Sequence, residues 1–223
     1  MLTGALLARG ARVTAVEVDE RLAAHLRRRF AAALGDESLR LVEADALDVP
    51  VEDLVEAPYD VVANLPYHIT SPVLHHVLGD EPRPRRLVLM LQREVAERIA
   101  APPGRMSYLS VFVQYHAAAR VAQIVPPQAF EPAPEVQSAV LVGETRPRRL
   151  SPDDEERLWR LVQAGFRERR KMLHNVLPRQ LPQVGGDRFD AALAAASIAP
   201  DRRPQTLAVE EWLALSAAVG PIG

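Results

Sequence analysis

Short apolar runs alternate with segments of helical periodicity through the first half of the sequence, and this alternation limits the fold more than any other feature. Each run is rich in valine and leucine, and the segment after it carries apolar residues at helical spacing. This order is typical of a parallel, doubly wound α/β sheet, which binds ligands at the carboxyl ends of its strands. The predicted strands are residues 12–18, 39–43, 59–63 and 86–91, and the predicted helices are residues 20–30, 70–78 and 92–100.

The middle of the chain predicts an antiparallel pair of strands. Residues 107–116 have a helical pattern, although the consecutive Val111, Phe112 and Val113 make it ambiguous. Residues 121–125 and 138–142 then predict two strands with no crossover helix between them, so we expect them to be antiparallel. The proline-rich residues 126–134 that join them would stiffen the loop and fix the direction of Phe130.

A change in composition at residues 146–151 (RPRRLS) marks a domain boundary, because only helical patterns follow it. Ser151 is placed to cap the first of these helices, whose first turn is acidic. We predict an N-terminal α/β domain, residues 1–147, and a small all-helical domain, residues 148–223. The predicted helices of the second domain are residues 152–166, 168–177, 188–196 and 207–218.

The composition excludes several classes of protein. A formal net charge of −2 means that any nucleic-acid contact would come from local basic patches. The absence of cysteine excludes disulfides, thiol nucleophiles and cysteine-ligated metals, and the six histidines lack metal-ligand spacing, since neighbouring His75 and His76 project differently. No apolar run approaches the roughly 20 residues of a membrane span. We predict a cytoplasmic protein that binds neither metal nor membrane.

Acidic residues follow the first two predicted strands. A carboxylate at such a strand end can accept both hydroxyls of a ribose, which suggests this role for Glu17. Asp45 would accept from an adenine amine, and the backbone amide of Ala46 is available to a ring nitrogen. Taken singly, each acid is more often a solvated carboxylate or a helix cap. Their order ahead of the next motif favours a nucleoside.

The third predicted strand is followed by Asn64, Leu65, Pro66 and Tyr67, which together suit a planar base with an exocyclic amine. Such an amine is a poor nucleophile because its lone pair is delocalised into the ring. Hydrogen bonds to the Asn64 side-chain oxygen and the Leu65 carbonyl would draw the nitrogen toward tetrahedral geometry and free that lone pair. Tyr67 would stack on the base, and Pro66 would keep the turn rigid. The alternative is a strand-to-helix turn induced by the proline, in which Tyr67 is a half-buried side chain with a structural role only.

Several blocks carry a resemblance through nearly the whole chain. By these blocks the chain resembles the small-subunit (16S) ribosomal RNA adenine N6,N6-dimethyltransferases of the KsgA/RsmA type, which methylate two neighbouring adenines near the 3′ end of that RNA. The resemblance implies a Rossmann-like class I methyltransferase sheet, S-adenosylmethionine as cofactor, and 16S rRNA in the small ribosomal subunit as partner; we also expect a monomer. The blocks are VEVD (16–19), EADALD (43–48), NLPYHITSPVL (64–74), MLQREVAERI (90–99), LSVFVQY (109–115), VPPQAFEPAPEVQSAV (125–140), FRERRKMLHN (166–175) and RRPQTLAVEEWLAL (202–215).

The resemblance also implies the roles of individual residues. Phe130 would close on the target base opposite Tyr67, although a core plug beneath the proline-rich loop is an equal alternative. The basic residues would contact RNA phosphates, with a solvated helix face as the alternative. The implied sets are Asn64, Leu65, Pro66, Tyr67 and Phe130 for catalysis; Glu17, Val18, Asp45, Ala46 and Asn64 for the cofactor; and Arg167, Arg169, Arg170, Lys171, Arg202 and Arg203 for RNA.

The chain departs from this family at its N-terminus. Family members begin with a strand and a glycine-rich E-x-G-x-G-x-G-x-L-T loop that cradles the methionine end of the cofactor, whereas Met1, Leu2 and Thr3 match only the tail of that loop. Loss of this central strand would leave unpaired backbone groups and an open groove, at about 1–3 kcal/mol for each unsatisfied buried group. We expect an N-terminal truncation, with the strand and loop encoded in frame upstream; an upstream stop codon would contradict it. A chain complete as given would bind cofactor weakly and have low activity.

Two other functions stay open from the sequence. The large-subunit (23S) rRNA adenine methyltransferases of the macrolide-resistance type share the fold and a similar motif, but the blocks at residues 125–140 and 202–207 favour the small-subunit group. A non-catalytic ribosome-assembly factor would keep the basic helical domain and dispense with chemistry. The intact residues 64–67 argue against that factor, and the absent glycine-rich loop argues for it. A DNA adenine methyltransferase is disfavoured because no added target-recognition domain is visible.

Overall fold

The computed structural model describes residues 2–222, and the chain forms two compact units, Met1–Leu89 and Met90–Gly223. In the first unit, the parallel pairing of β1 with β2 sets Val13 opposite Leu39 and Glu17 opposite Glu43, as a doubly wound sheet requires. The elements of this unit are α1 (Leu2–Leu7), β1 (Val13–Glu17), α2 (Glu20–Arg29), α3 (Ala31–Gly35), β2 (Leu39–Glu43), α4 (Val51–Leu54), β3 (Asp60–Asn64), a 3₁₀ turn (Tyr67–Ile69), α5 (Thr70–Gly79) and the start of β4 (Arg86–Gln92).

The helix α2 shows how the sequence fixes the first strand–helix connection. The Asp19 carboxylate accepts the backbone N–H groups of Arg21 at 2.8 Å and Leu22 at 3.0 Å, which satisfies donors that the first turn of a helix leaves free. Ala23 and Leu26 are buried on the inner face of the helix. The cap therefore fixes where the chain turns directly after Glu17.

A groove of about 890 Å³ lies between β1 and β3. Val13 and Thr14 at the start of β1 line it, as do Asp60 and Val62 of β3, so both strands begin beside it. Within residues 2–222, β1 pairs with β2 alone, and β3 is the end strand of the other sheet. Among the described residues, the facing edges of β1 and β3 therefore have no strand partner, in agreement with the expected groove and unpaired edges.

The second unit combines an antiparallel strand pair with a helical bundle. β5 and β6 pair antiparallel, as predicted, with an irregularity between Val121 and Gln123. The order of the four-stranded sheet is β3-β4-β6-β5, which makes β5 an edge strand. The elements are α6 (Arg93–Ile99), α7 (Tyr108–His116), β5 (Ala117–Val125), a 3₁₀ turn (Pro127–Ala129), β6 (Ser138–Thr145), α8 (Pro152–Arg167), α9 (Leu173–Gln180), α10 (Gly186–Ala195), a 3₁₀ turn (Pro204–Thr206) and α11 (Val209–Val219).

The core of the second unit surrounds Trp212, whose side chain is fully buried. Gly165 of α8 allows this packing, because a Cβ atom there would lie 2.6 Å from the indole. Met106, Val111 and Tyr115 join the same core from the region of α7, so the last four helices share apolar packing with residues that precede the predicted boundary. The division at residues 147/148 stays a prediction.

Two predicted elements were wrong in where they begin, by four and five residues. β5 begins at Ala117 rather than at residue 121, because the weakly strand-forming residues 117–119 gain partners on β6. α9 begins at Leu173 rather than at residue 168, since residues 168–172 form a turn closed by the Lys171 N–H donating to the Glu168 carbonyl at 2.8 Å. The short helices α1, α3 and α4 were missed altogether. No helix among residues 2–222 has the length and apolar character that a membrane span requires.

Candidate active site

The carboxyl ends of β1 and β2 present two carboxylates side by side, and they are not equivalent. Glu43 forms an ion pair with Arg27 of α2. Glu17 accepts the Asp19 N–H at 3.0 Å through one oxygen, and within residues 2–222 its second oxygen has neither a hydrogen bond nor an ion pair. One carboxylate oxygen of Glu17 is therefore available to a ligand. This agrees with the predicted ribose role, which stays a prediction.

The residues beside these strand ends suit a nucleobase. Val18 is 68% exposed, and an apolar side chain this exposed offers a surface to a flat ring. Asp45 follows β2, so the parallel pairing of the strands brings it to the same sheet edge as Glu17. The Asp45 Oδ1 accepts the Leu47 N–H at 2.9 Å, and the Asp45 carbonyl accepts the Asp48 N–H at 3.0 Å. This compact turn leaves the other carboxylate oxygen of Asp45 exposed, next to half-buried Ala46.

The predicted catalytic motif ends β3 in a rigid turn. Asn64 is exposed, and its carboxamide makes no hydrogen bond within residues 2–222. Leu65 is 9% exposed and anchors the backbone, while Pro66 (φ −55°, ψ 136°) begins the 3₁₀ turn in which the Ile69 N–H donates to the Pro66 carbonyl at 3.2 Å. Tyr67 is 37% exposed. The turn therefore presents a free amide and an accessible aromatic face from a fixed backbone.

Phe130 lies in the second unit, directly after the 3₁₀ turn of the proline-rich loop. Its side chain is half-buried, and its backbone N–H donates to the Pro127 carbonyl at 3.1 Å. This bond holds the backbone at Phe130. That Phe130 closes on a base opposite Tyr67 stays a prediction.

The predicted basic cluster falls on the turn between α8 and α9. Arg169, Arg170 and Lys171 are exposed and have no ion pair within the described part of the chain, whereas Arg167 donates to the Gln180 side-chain oxygen at 3.2 Å. Residues 202–203 lie beside this turn, since the Leu173 N–H donates to the backbone carbonyl of Arg202 at 2.9 Å. The exposed Arg203 therefore belongs to the same surface.

Arg202, by contrast, forms hydrogen bonds with other residues of the C-terminal helical region. Its guanidinium donates to Glu211 at 2.6 Å and to the Thr206 hydroxyl at 3.0 Å. Burial alone would raise the pKa of Glu211, but the bonds from Arg202 and from the Ala208 N–H outweigh it, so the pKa of Glu211 is lowered. The predicted contact of Arg202 with RNA stays a prediction. Because Glu211 neutralises much of the Arg202 charge, less of that charge is available to a phosphate.

Sequence reasoning missed two contacts that shape the site. The ion pair of Arg27 with Glu43 neutralises one strand-end carboxylate, and a bond from His76 reaches the carbonyl of Val49 in the segment that follows Asp45. Neither contact leaves a local signal, because the partners are far apart in the sequence. Only the parallel register and the packing of α5 bring them together.

Comparisons with known proteins agree with this geometry. The family model for ribosomal RNA adenine dimethylase matches residues 1–218. The ribosomal RNA small subunit methyltransferase A of Anaeromyxobacter dehalogenans (strain 2CP-C) is 46% identical over 98% of this chain and 80% of its own. The protein of the same name from Synechococcus elongatus is 39% identical over 98% of this chain and 81% of its own length.

Solved structures confirm the predicted fold. The 23S rRNA methyltransferase ErmE has a TM-score of 0.71 and 27% identity, covering 93% of this chain and 82% of its own. A dimethyladenosine transferase from Plasmodium falciparum shares the fold with a TM-score of 0.74 at 20% identity, covering 96% and 85%. The fold is the Rossmann-like α/β fold of the class I methyltransferases. From the matched length and the identity to its relatives, the chain belongs to the ribosomal RNA adenine dimethylase family.

Proposed function

We propose that this chain is an S-adenosylmethionine-dependent methyltransferase that dimethylates the N6 amines of two adjacent adenines near the 3′ end of 16S rRNA. The observation that carries the proposal is the free carboxamide of Asn64 beside the accessible ring of Tyr67, in a member of the ribosomal RNA adenine dimethylase family. The small-subunit target is favoured over 23S rRNA because relatives named for the small subunit reach 46% identity, against 27% for ErmE.

The residues at the ends of β1 and β2 fit the nucleoside half of S-adenosylmethionine. The free oxygen of Glu17 would accept from the ribose, the exposed Val18 would cover one face of the adenine, and the outer oxygen of Asp45 would accept from the adenine amine. The backbone amide of Ala46 is the donor for a ring nitrogen. When bound, S-adenosylmethionine supplies an electrophilic methyl group.

The catalytic turn prepares the target amine. The Asn64 side-chain oxygen and the Leu65 carbonyl accept the two amine hydrogens, which draws the nitrogen toward tetrahedral geometry and frees its lone pair. Tyr67 stacks on the adenine, and the fixed φ of Pro66 preorganises both acceptors. Asn64 does not take up a proton, and the methylated ammonium is acidic enough to release one to water. Phe130 would hold the base from its other face.

The exposed turn between α8 and α9 would hold the RNA. Arg169, Arg170, Lys171 and Arg203 are cations without an intramolecular ion pair in the described residues, and the surface they share suits phosphate contacts. Such contacts orient the RNA and carry no sequence information. The protein would act as a monomer in the cytoplasm on the maturing small subunit.

The test supplies purified small and large ribosomal subunits, both undermethylated, with methyl-labelled S-adenosylmethionine. The proposal predicts label in adenines of small-subunit RNA alone. Label in large-subunit RNA alone would favour the 23S activity, and cofactor binding without transfer to either subunit would contradict both. A correctly folded chain that shows no cofactor binding by isothermal titration would instead indicate an assembly factor.

A further inference from the structure

His76 lies on α5, the helix that follows the catalytic turn, and contacts the segment that follows Asp45. Its Nε2 is 3.0 Å from the carbonyl oxygen of Val49, and its Nδ1 is 3.2 Å from Oδ2 of Asp80. The imidazole is largely buried, with 17% of the side chain exposed. The carbonyl and the carboxylate can only accept, so each ring nitrogen faces an acceptor, and His76 donates to Val49 through a proton on Nε2.

Val49 ends the segment that the proposed function assigns to the adenine. Asp45 closes its own turn with bonds to the N–H groups of Leu47 and Asp48, but these bonds are internal to the segment. The bond from His76 ties the far end of that segment to a separate element. Val51, directly beyond it, is 4% exposed and anchors α4. The segment is thus held at its end by His76 and by the burial of Val51.

The helix α5 is a firm support for this tie. Leu74 and Leu78 are fully buried, and Val73 is 6% exposed. The helix begins at Thr70, immediately after the 3₁₀ turn that contains Tyr67. The same rigid element therefore supports the catalytic turn at its start and the segment containing Asp45 near its end.

We propose that His76 is a positioning residue for the cofactor: by donating to the Val49 carbonyl, it holds Asp45 and Ala46 in the orientation that receives the adenine. The inference rests on the proposed function for the assignment of that adenine. Asp80, with its Oδ2 at 3.2 Å from Nδ1, restricts the orientation of the ring.

The test compares three variants by isothermal titration with S-adenosylmethionine and by the steady-state KM and kcat for methyl transfer. His76→Leu removes the donor and is expected to raise the Kd and KM for the cofactor about tenfold, the value of one hydrogen bond, with kcat nearly unchanged. His76→Gln restores an amide N–H and is expected to stay within about threefold of the parent chain. Val73→Ala, on the same helix, lowers stability without touching the bond and should leave Kd unchanged.

Each outcome bears on one claim. Equal Kd values for the parent chain and His76→Leu overturn the positioning role, and so does a Val73→Ala variant that weakens binding as much as His76→Leu. A Gln variant as weak as the Leu variant also overturns it, because the donor would then be irrelevant. A parent chain that binds no S-adenosylmethionine overturns the proposed function itself. Faster amide hydrogen exchange at Leu47 and Asp48 in His76→Leu, measured without cofactor, is the expected sign of the lost tie.

Discussion

Asn64 ends β3 with a side chain that has no hydrogen-bond partner in the described residues, and an exposed amide at the carboxyl end of a sheet strand is well placed to serve a ligand. The residues next to Asn64 hold its carboxamide in position. The side chain of Leu65 is buried and Pro66 fixes the following backbone, so the carboxamide projects from a rigid turn. The side chain available for chemistry and the residues that hold it are adjacent in the sequence.

Asn64→Ala is therefore expected to lower methyl transfer by about 100-fold or more, because it removes an acceptor aimed at the reacting amine. The Kd for S-adenosylmethionine should change little, since we assign the nucleoside to Glu17 and Asp45. Turnover and isothermal titration measure the two effects separately. Asn175→Ala makes the same chemical change at an exposed residue of α9 and is the control. Retained turnover in Asn64→Ala would mean that another group accepts from the amine.

Asp60 at the start of β3 contributes to stability in a pH-dependent way. Arg85 donates to both of its carboxylate oxygens, at 3.0 and 2.8 Å, and chiefly this bonding holds the pKa of Asp60 below its ordinary value of 3.8. A lowered folded-state pKa stabilises the fold above the unfolded-state value, and this contribution is lost as the pH falls through the folded-state value. Asp60→Asn should lower Tm at pH 7, and the difference should shrink below pH 3.8. Asp190→Asn is the control, because Asp190 is exposed and has no ion pair in the described residues. A loss of Tm in Asp60→Asn that does not change with pH would contradict the account.

Among the elements, α8 depends on a single small residue for its packing. A Cβ on Gly165 would lie 2.6 Å from the Trp212 ring, and both residues are in the core. Gly165→Ala is expected to lower the free energy of unfolding by about 1–3 kcal/mol, despite the higher helix propensity of alanine. Gly186→Ala, in α10 with nothing within 4 Å of its added Cβ, should not be destabilising. Chemical denaturation measures both, and equal effects would contradict the packing argument.

The turn between α8 and α9 is the element that we assign to RNA. Combined substitution of Arg169, Arg170 and Lys171 by alanine is expected to weaken binding of an RNA containing the 3′ end of 16S rRNA. It should also flatten the slope of log K against log salt by about 2 to 3, because each lost phosphate contact removes about 0.7–0.9 from that slope. Arg149→Ala, whose arginine is already paired with Glu210 at 3.2 Å, is the control. An unchanged slope in the triple variant would place the RNA elsewhere.

The elements that the sequence predicted well are those whose signal is local. The strand at residues 39–43 and the antiparallel pair around the proline-rich loop follow from short apolar runs and turn residues. The start of β5 at Ala117 and the turn at residues 168–172 depend on partners elsewhere in the chain, so local patterns misplaced them. The site divides in the same way. Residues 64–67 and Glu17 could be proposed as site residues because they follow or end predicted strands. The bond from His76 to Val49 could not be predicted, because it forms only when α5 packs against the segment after Asp45.

At the scale of the whole molecule, the two units carry different parts of the proposed reaction. The first unit has the residues at the ends of β1 and β2 that we propose for the nucleoside and the turn after β3 that we propose for catalysis. It also contains the open groove beside strand edges that have no strand partner within residues 2–222. The second unit has Phe130, the basic turn and a core that joins α7 to the last four helices. Methyl transfer to ribosomal RNA would require both sets of residues in one chain.

The most direct test of this account is mass spectrometry of the 3′ region of 16S rRNA from undermethylated small subunits, after incubation with the chain and S-adenosylmethionine. The account predicts N6,N6-dimethyladenosine at two adjacent positions with the parent chain, and unmodified adenines at both positions with Asn64→Ala. Modification of a different nucleotide by the parent chain would contradict the central claim, as would the same two dimethyladenosines formed at an undiminished rate by Asn64→Ala.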